Sequence, residues 1–373
     1  MTGLYIHIPF CLKKCGYCDF VSYENCFDEA EAYIDAVLQE MEEYRGEKID
    51  SVYVGGGTPT SLPGGLLEKL LGGVFACFDV AEDNEITVEC NPKTADLAYL
   101  SSLRKVGYHR ISIGVQSLHD EELTFLGRLH TAREAEESVQ LAKLAGFSNI
   151  SLDCMFGFPG QTEERFLESL RRIIALGPAH ISSYSLILEE NTPFYREYIA
   201  GRLIPMDDEL ERDLYEKTVE VLGQSGYRRY EISNFARPGM EARHNVKYWT
   251  REPYIGLGAA AHSFYGGCRY ANPAGLKDYY KRVQEGPLAE QEKTRLTRRD
   301  EMSEFMYLGM RMSRGVSQRE FEEQFGKKLF DVFGESIRWL ESLKLVETAG
   351  DAVQLTPKGI NVSNSVFSRF LLD

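Results

Sequence analysis

No stretch of this chain stays apolar for the roughly 20 residues that a membrane-spanning helix needs, because every hydrophobic run is short and broken by charge. An integral membrane segment is therefore excluded. A surplus of basic residues is also missing: 42 Lys and Arg face 57 Asp and Glu, a formal net charge of −15, which excludes nucleic acid as a main partner. Low-complexity composition is absent too, since 43% hydrophobic and 27% charged residues describe an ordinary globular chain. Only "MTGLYIHIPF" precedes the first cysteine, too little for a secretion signal, so the eight cysteines are expected as cytoplasmic thiols and not as a disulfide framework. Two further absences concern the cysteines themselves. No second cysteine pair exists to close a four-ligand zinc site, and Phe20 stands two positions after the third cysteine, where a fourth could have been.

What is present begins with alternation. Up to about Leu188, short β-branched runs ("LYIHIPF", "SVYVGG", "EITVEC", "RISIGVQ", "NISLDCMFG", "HISSYSLIL") alternate with amphipathic ones such as "EAEAYIDAVLQEMEEY" and "EERFLESLRRIIALG". Six βα units in series predict a parallel sheet. Parity then chooses between an open doubly wound sheet and a barrel. In "RISIGVQ", Ile111, Ile113 and Val115 share one face while Ser112, Gly114 and Gln116 share the other, and the split recurs in neighbouring strands. A doubly wound sheet buries both faces in apolar contacts, so a recurrent polar face predicts an incomplete (βα)6 TIM-like barrel with a wet interior. Glu89, Gln116 and Asp153 fall at strand carboxyl ends, where such folds place their chemistry. The expected division is 1–226 for the partial barrel, 227–290 for a connecting region, and 291–373 for a mainly α domain. That last domain ends in "LVETAGDAVQLTPKG", a winged-helix-like hairpin, and packing on the main domain is the expected role for it.

Cys11, Cys15 and Cys18 follow the first predicted strand, on a loop at the barrel mouth. Three thiolates suit a cubane [4Fe–4S] cluster with one iron left without a protein ligand. Lys13 and Lys14 add positive charge that favours thiolates and an anionic cofactor. The other five cysteines read as buried small apolar residues.

"CLKKCGYC" followed by "GGGTPT" resembles the radical S-adenosylmethionine (SAM) superfamily, in which the cofactor's amino and carboxylate groups chelate the open iron. "YIHIPFC", "ECNP", "GVQS", "GRLH", "LDCMFGFPGQT" and "SLILEENTPF" extend that likeness to the coproporphyrinogen oxidase-like branch along nearly the whole chain. The resemblance implies SAM contacts at Tyr5, Tyr17, Gly56, Gly57, Thr58, Glu89, Gln116, Arg128 and Asp153, with the glycines letting backbone approach the methionine moiety.

Within the branch, Phe20 and the short segment before the first strand resemble the heme chaperone (HemW) group more than the oxygen-independent coproporphyrinogen III dehydrogenases. The HNxxYW segment, here "HNVKYW", points the same way. It implies heme contacts at His244, Asn245, Tyr248 and Trp249, an imidazole beside large flat apolar faces; His262 is a second candidate ligand. Residue chemistry alone leaves open that His244 merely packs in a core. The expected protein is cytoplasmic, with the membrane periphery also open to it. It binds a cluster, SAM and heme, and hands heme to acceptors such as respiratory membrane enzymes, alone or as a homodimer. The alternative is oxidative decarboxylation of a porphyrinogen by a deoxyadenosyl radical.

Overall fold

The structure is a computed structural model and describes residues 1–288 and 292–372. All six expected strands form: β1 (Thr2–Ile8), β2 (Lys48–Gly56), β3 (Asp79–Cys90), β4 (Arg110–Gln116), β5 (Asn149–Phe156) and β6 (His180–Ser185). Each pairs in parallel with the next in chain order. The crossovers are α1 (Ala30–Met41), α2 (Leu66–Cys77), α3 (Leu97–Val106), α4 (Asp120–Leu126), α5 (Ala132–Leu144) and α6 (Glu163–Ala175). Their starts are set locally. The Asp96, Thr131 and Thr162 side chains accept hydrogen bonds from the free N–H groups of α3, α5 and α6, and at α5 Glu134 completes a reciprocal capping box.

Strand parity divides the interior as expected. Ile111, Ile113 and Val115 are fully buried beneath the helices, in one core with Ile86, Val88, Ile150 and Leu152. The opposite faces turn into the lumen. There the upper layer (Glu89, Asp153, Tyr184) keeps partial access to solvent, whereas the lower layer (Ser51, Glu85, Arg110, His180) is buried. The lumen is thus wet only in its upper half.

After β6 come α7 (Pro193–Ile199) and α8 (Asp208–Gln224), the latter where a helical stretch is expected. The following residues lengthen the sheet at both edges. β7 (Arg228–Arg229) and β8 (Asn234–Ala236) continue antiparallel from β6. Beyond α9 (Arg243–Thr250), β9 (Tyr254–Leu257) lies parallel to β1 and leads antiparallel into β10 (His262–Tyr265), β11 (Cys268–Ala271) and β12 (Thr294–Arg295). A seventh parallel strand, β9, was not legible in "YIGLGAAAHSF". The twelve strands form a linear order, so the barrel of the described residues stays open.

The 290/291 boundary lies outside the described residues. Further on, α10 (Leu276–Glu285) contacts α1, and α11 (Arg298–Gly309), α12 (Gln318–Phe325) and α13 (Leu329–Ser342) surround a separate core containing Met306, Phe321, Phe333 and Ile337. The expected hairpin is Val346–Ala349 with Ala352–Leu355, joined by Val316–Ser317. Glu304, nearly buried, fastens this region to the sheet: it accepts hydrogen bonds from Arg251 Nε at 3.0 Å and Arg269 Nη2 at 3.0 Å. Arg311 lies 4.3 Å over the Trp249 ring centroid and reaches Glu231.

Candidate active site and the HNxxYW helix

The cysteine loop sits at the carboxyl end of the strands. Phe10–Cys11 pairs with Tyr23–Glu24, which closes the loop and leaves Cys11 buried with Cys15 and Cys18 partly accessible. Burial pushes the Cys11 thiol up and the Cys18 thiol up to about 11. Coordination to iron would reverse that, since a metal-bound thiol gives up its proton. Among the described residues, no three His, Cys, Asp or Glu side chains converge on one ion position. A cubane differs from a single ion in what it asks of such a loop, since each of its thiolates takes a different iron.

Beneath the cysteines lies a cavity of about 140 Å³ that brings together Tyr17, Gly56, Gly57, Thr58, Glu89, Gln116, Arg128 and Asp153, eight of the nine residues expected to contact SAM. It shares Lys13, Cys15, Thr58, Asn91 and Arg128 with an adjoining groove of about 350 Å³. Tyr5 is not among them. It lies one layer deeper, its hydroxyl 2.9 Å from His7 Nδ1 and its ring near Tyr53 and His244.

Arg128 lies against the cysteine loop: Nη1 donates to Cys15 Sγ at 3.5 Å, and Nη2 to Gly114 O at 2.7 Å and to Asn91 Oδ1. Its Nε is buried without a partner, a donor left over for an anionic group such as a carboxylate. Glu89 accepts from Tyr53 at 2.7 Å and from the Gly56 N–H at 2.9 Å, and desolvation holds its pKa above the ordinary carboxylate range. Asp153 is pushed up to about 7, first by burial and then by the Glu89 charge. Two neighbouring carboxylates in a poorly hydrated cavity favour a cationic or hydroxyl-bearing ligand. The donor set, the spare Arg128 donor and the carboxylate pair all fit a cluster with a sulfonium cofactor.

The glycine triplet also has a reason within the chain itself. A Cβ on Gly55 would lie 2.7 Å from the Glu89 carboxylate carbon, one on Gly56 2.3 Å from His7 Nδ1, and one on Gly57 2.7 Å from Phe10 O. Neighbours within the chain already occupy the space.

The HNxxYW segment is α9, which closes the amino end of the lumen, opposite the cysteines. His244 is buried, with Nδ1 3.0 Å from Ser51 Oγ and Nε2 2.9 Å from Tyr248 Oη. Burial pushes its pKa down to about 3, leaving a neutral imidazole with both nitrogens engaged. Trp249 packs instead with Tyr230, Ala236, Val246 and Met312. The structure therefore brings His244 and Tyr248 together, with Trp249 edge-on to Tyr248 at 6.4 Å between ring centroids while its apolar contacts lie in the other cluster; Asn245 is half-buried. His262 is exposed on β10.

Similarity to known proteins bears on this site. The Radical SAM superfamily pattern matches residues 5–173 and the HemN C-terminal domain pattern matches 296–362. Over 372 residues the chain is 36% identical to the heme chaperone HemW of Lactococcus lactis, covering 100% of this chain and 98% of that protein. With the Bacillus subtilis heme chaperone HemW the figures are 37% over 376 residues, 100% and 99%. The chain belongs to the HemW family of radical SAM proteins. Among solved structures, the Escherichia coli coproporphyrinogen III oxidase HemN, a radical SAM enzyme, superimposes with a TM-score of 0.86 at 26% identity, covering 99% of this chain and 90% of that one.

For this HemW family member, three residues of the site escaped sequence reasoning. Asn91 joins Arg128 to Thr58, whose Oγ1 accepts from Asn91 Nδ2 at 2.7 Å; it stands in "ECNP", two residues after Glu89, and that motif is the one signal that could have marked it. Tyr184 donates to Gln116 Oε1 at 2.9 Å, which helps hold Gln116 at a left-handed φ of 67°. Arg110 is 2% exposed, with Nε and Nη1 unpartnered, and its charge opposes the rise in the pKa of both Glu89 and Asp153. Only its place on the polar face of "RISIGVQ" could have marked it.

Proposed function

We propose that this chain is a heme chaperone: it carries a [4Fe–4S] cluster on Cys11, Cys15 and Cys18, holds SAM in the adjoining cavity, binds heme at the HNxxYW helix, and passes heme to acceptor proteins, respiratory membrane enzymes among them. The observation that carries this reading is the likeness to heme chaperones from one end of the chain to the other, in a structure whose cysteine loop and carboxylate cavity suit the cluster and its cofactor.

When bound, the cluster would offer its open iron to the amino-acid end of SAM. The chain's own residues do the rest. Arg128 presents its spare Nε–H toward an anionic group, Glu89 and Asp153 attract the positively charged part, and His7, bonded through Nε2 to Val21 O at 2.8 Å, buttresses Gly56 from below. Phe20 argues against the porphyrinogen-oxidising alternative. It is 61% exposed and supplies no sulfur where those enzymes have one, while its backbone oxygen accepts from Lys14 Nζ at 2.8 Å and so steadies the loop.

Two measurements on anaerobically reconstituted protein test the reading. Hemin titration is expected to give a saturable Soret band and transfer to an apo heme protein. Incubation with coproporphyrinogen III, SAM and a reductant is expected to yield no protoporphyrinogen; its formation together with deoxyadenosine would refute the carrier reading.

A further inference from the structure

The HNxxYW helix has two sides, and only one has room. On the lumen side, both His244 nitrogens are taken and the rings of Tyr53, Tyr5 and Tyr248 stand 5.6, 6.5 and 5.2 Å from the imidazole centroid. The outward side, formed by Arg243, Val246 and Lys247, lines a groove of about 600 Å³ whose other walls include Arg228–Arg229 of β7 and Met312–Arg314. That volume is ordinary for a cofactor-sized ligand, for which about 300–1,000 Å³ is usual.

The groove's charge runs against that of the chain. Five basic and three acidic side chains line it, a local +2 on a protein of −15. Two of the acids, Asp50 and Glu252, are spent on Lys247. Arg228 is exposed and has no ion-pair partner among the described residues, and Arg314 reaches only Glu320, at 3.6 Å between exposed side chains. The same groove is lined by Val246 and Met312, which belong to one apolar cluster with Tyr230 and Trp249. Apolar side chains and available arginines in one groove suit a flat apolar ligand carrying carboxylates, because guanidinium pairs with carboxylate through two parallel hydrogen bonds. Heme has that chemistry, an apolar macrocycle with two propionates.

Resting on the heme-carrier reading above, we propose that heme is received in this outward groove, its propionates held by Arg228 and Arg314 and its macrocycle on Val246 and Met312, and not in the lumen beside His244. The test uses the reconstituted full chain, hemin and hemin dimethyl ester. Both arginines are exposed, so the Arg228→Gln/Arg314→Gln variant is expected to keep its cluster absorbance and SAM binding. It should bind hemin at least 10-fold more weakly than wild type while binding the ester, which lacks the carboxylates, as wild type does. Unchanged hemin affinity in the variant, or an equal loss for hemin and ester, would overturn the groove assignment while leaving the carrier reading intact. A wild-type chain that binds no hemin would instead overturn the carrier reading, and the groove with it.

Discussion

Replacing Asp153 by Asn should make the cofactor-free protein more stable, and more so as pH rises. The carboxyl is pushed up to about 7 in the folded state, against 3.8 for a free aspartate, because burial and the Glu89 charge disfavour its ionised form. Below about pH 4 both folded and unfolded states hold the proton, and the side chain contributes no pH dependence. Between about 4 and 7 the unfolded chain releases it while the folded one keeps it, so stability falls as pH rises; above 7 the penalty is constant. About three units at about 1.4 kcal/mol each set an upper bound near 4 kcal/mol, and lumen water reaching the carboxyl reduces this to about 2 kcal/mol. The amide mimics the protonated acid and escapes the penalty. Urea unfolding of wild type and Asp153→Asn at pH 5 and pH 8 should therefore show the variant's advantage growing by about 1–2 kcal/mol across that range, a double difference in which most other titrating groups cancel. SAM binding should move oppositely, weakening in the variant at pH 8 as the negative charge is lost. An advantage that does not change with pH, or a variant less stable at pH 8, would refute the account of a strained carboxylate pair.

Two further substitutions test the frame around the site. Gly56→Ala would put a Cβ 2.3 Å from His7 Nδ1 at a φ of 111°; a loss of about 2–3 kcal/mol is expected, read as a lower thermal midpoint, and an unchanged midpoint would contradict the tight contact. Glu304→Gln would leave Arg251, buried at the seam, without its charge partner, and about 3 kcal/mol should be lost in thermal unfolding, with earlier proteolysis between the sheet and the C-terminal region; equal stability would show that the seam rests on apolar packing instead.

Much of the frame was legible because it depends on short-range periodicity. Residues two apart on a strand share a face whatever the rest of the chain does, so Ile111, Ile113 and Val115 announced the helix-covered side, and Glu89 and Asp153 the lumen, before any contact was known. Threonine and aspartate caps likewise act within three or four residues of themselves. The strand β9 was hidden for the opposite reason: "YIGL" is short and joins β1 from about 250 residues away, and no local pattern encodes that pairing.

By itself, then, the sequence determined six βα units, the three thiols at the mouth and the polar strand ends Glu89, Gln116 and Asp153, since each rests on spacing along the chain; the other groups around the cavity came from the family resemblance. Tertiary structure alone decided that the glycine triplet answers to His7, Glu89 and Phe10, that Arg110 and Asn91 belong to the site, and that α9 turns His244 inward and its arginine-flanked side outward. The physical reason is that a side chain's periodicity tells which face it shares, while its burial, its charge partners and the space beside it depend on segments that meet only when the chain folds.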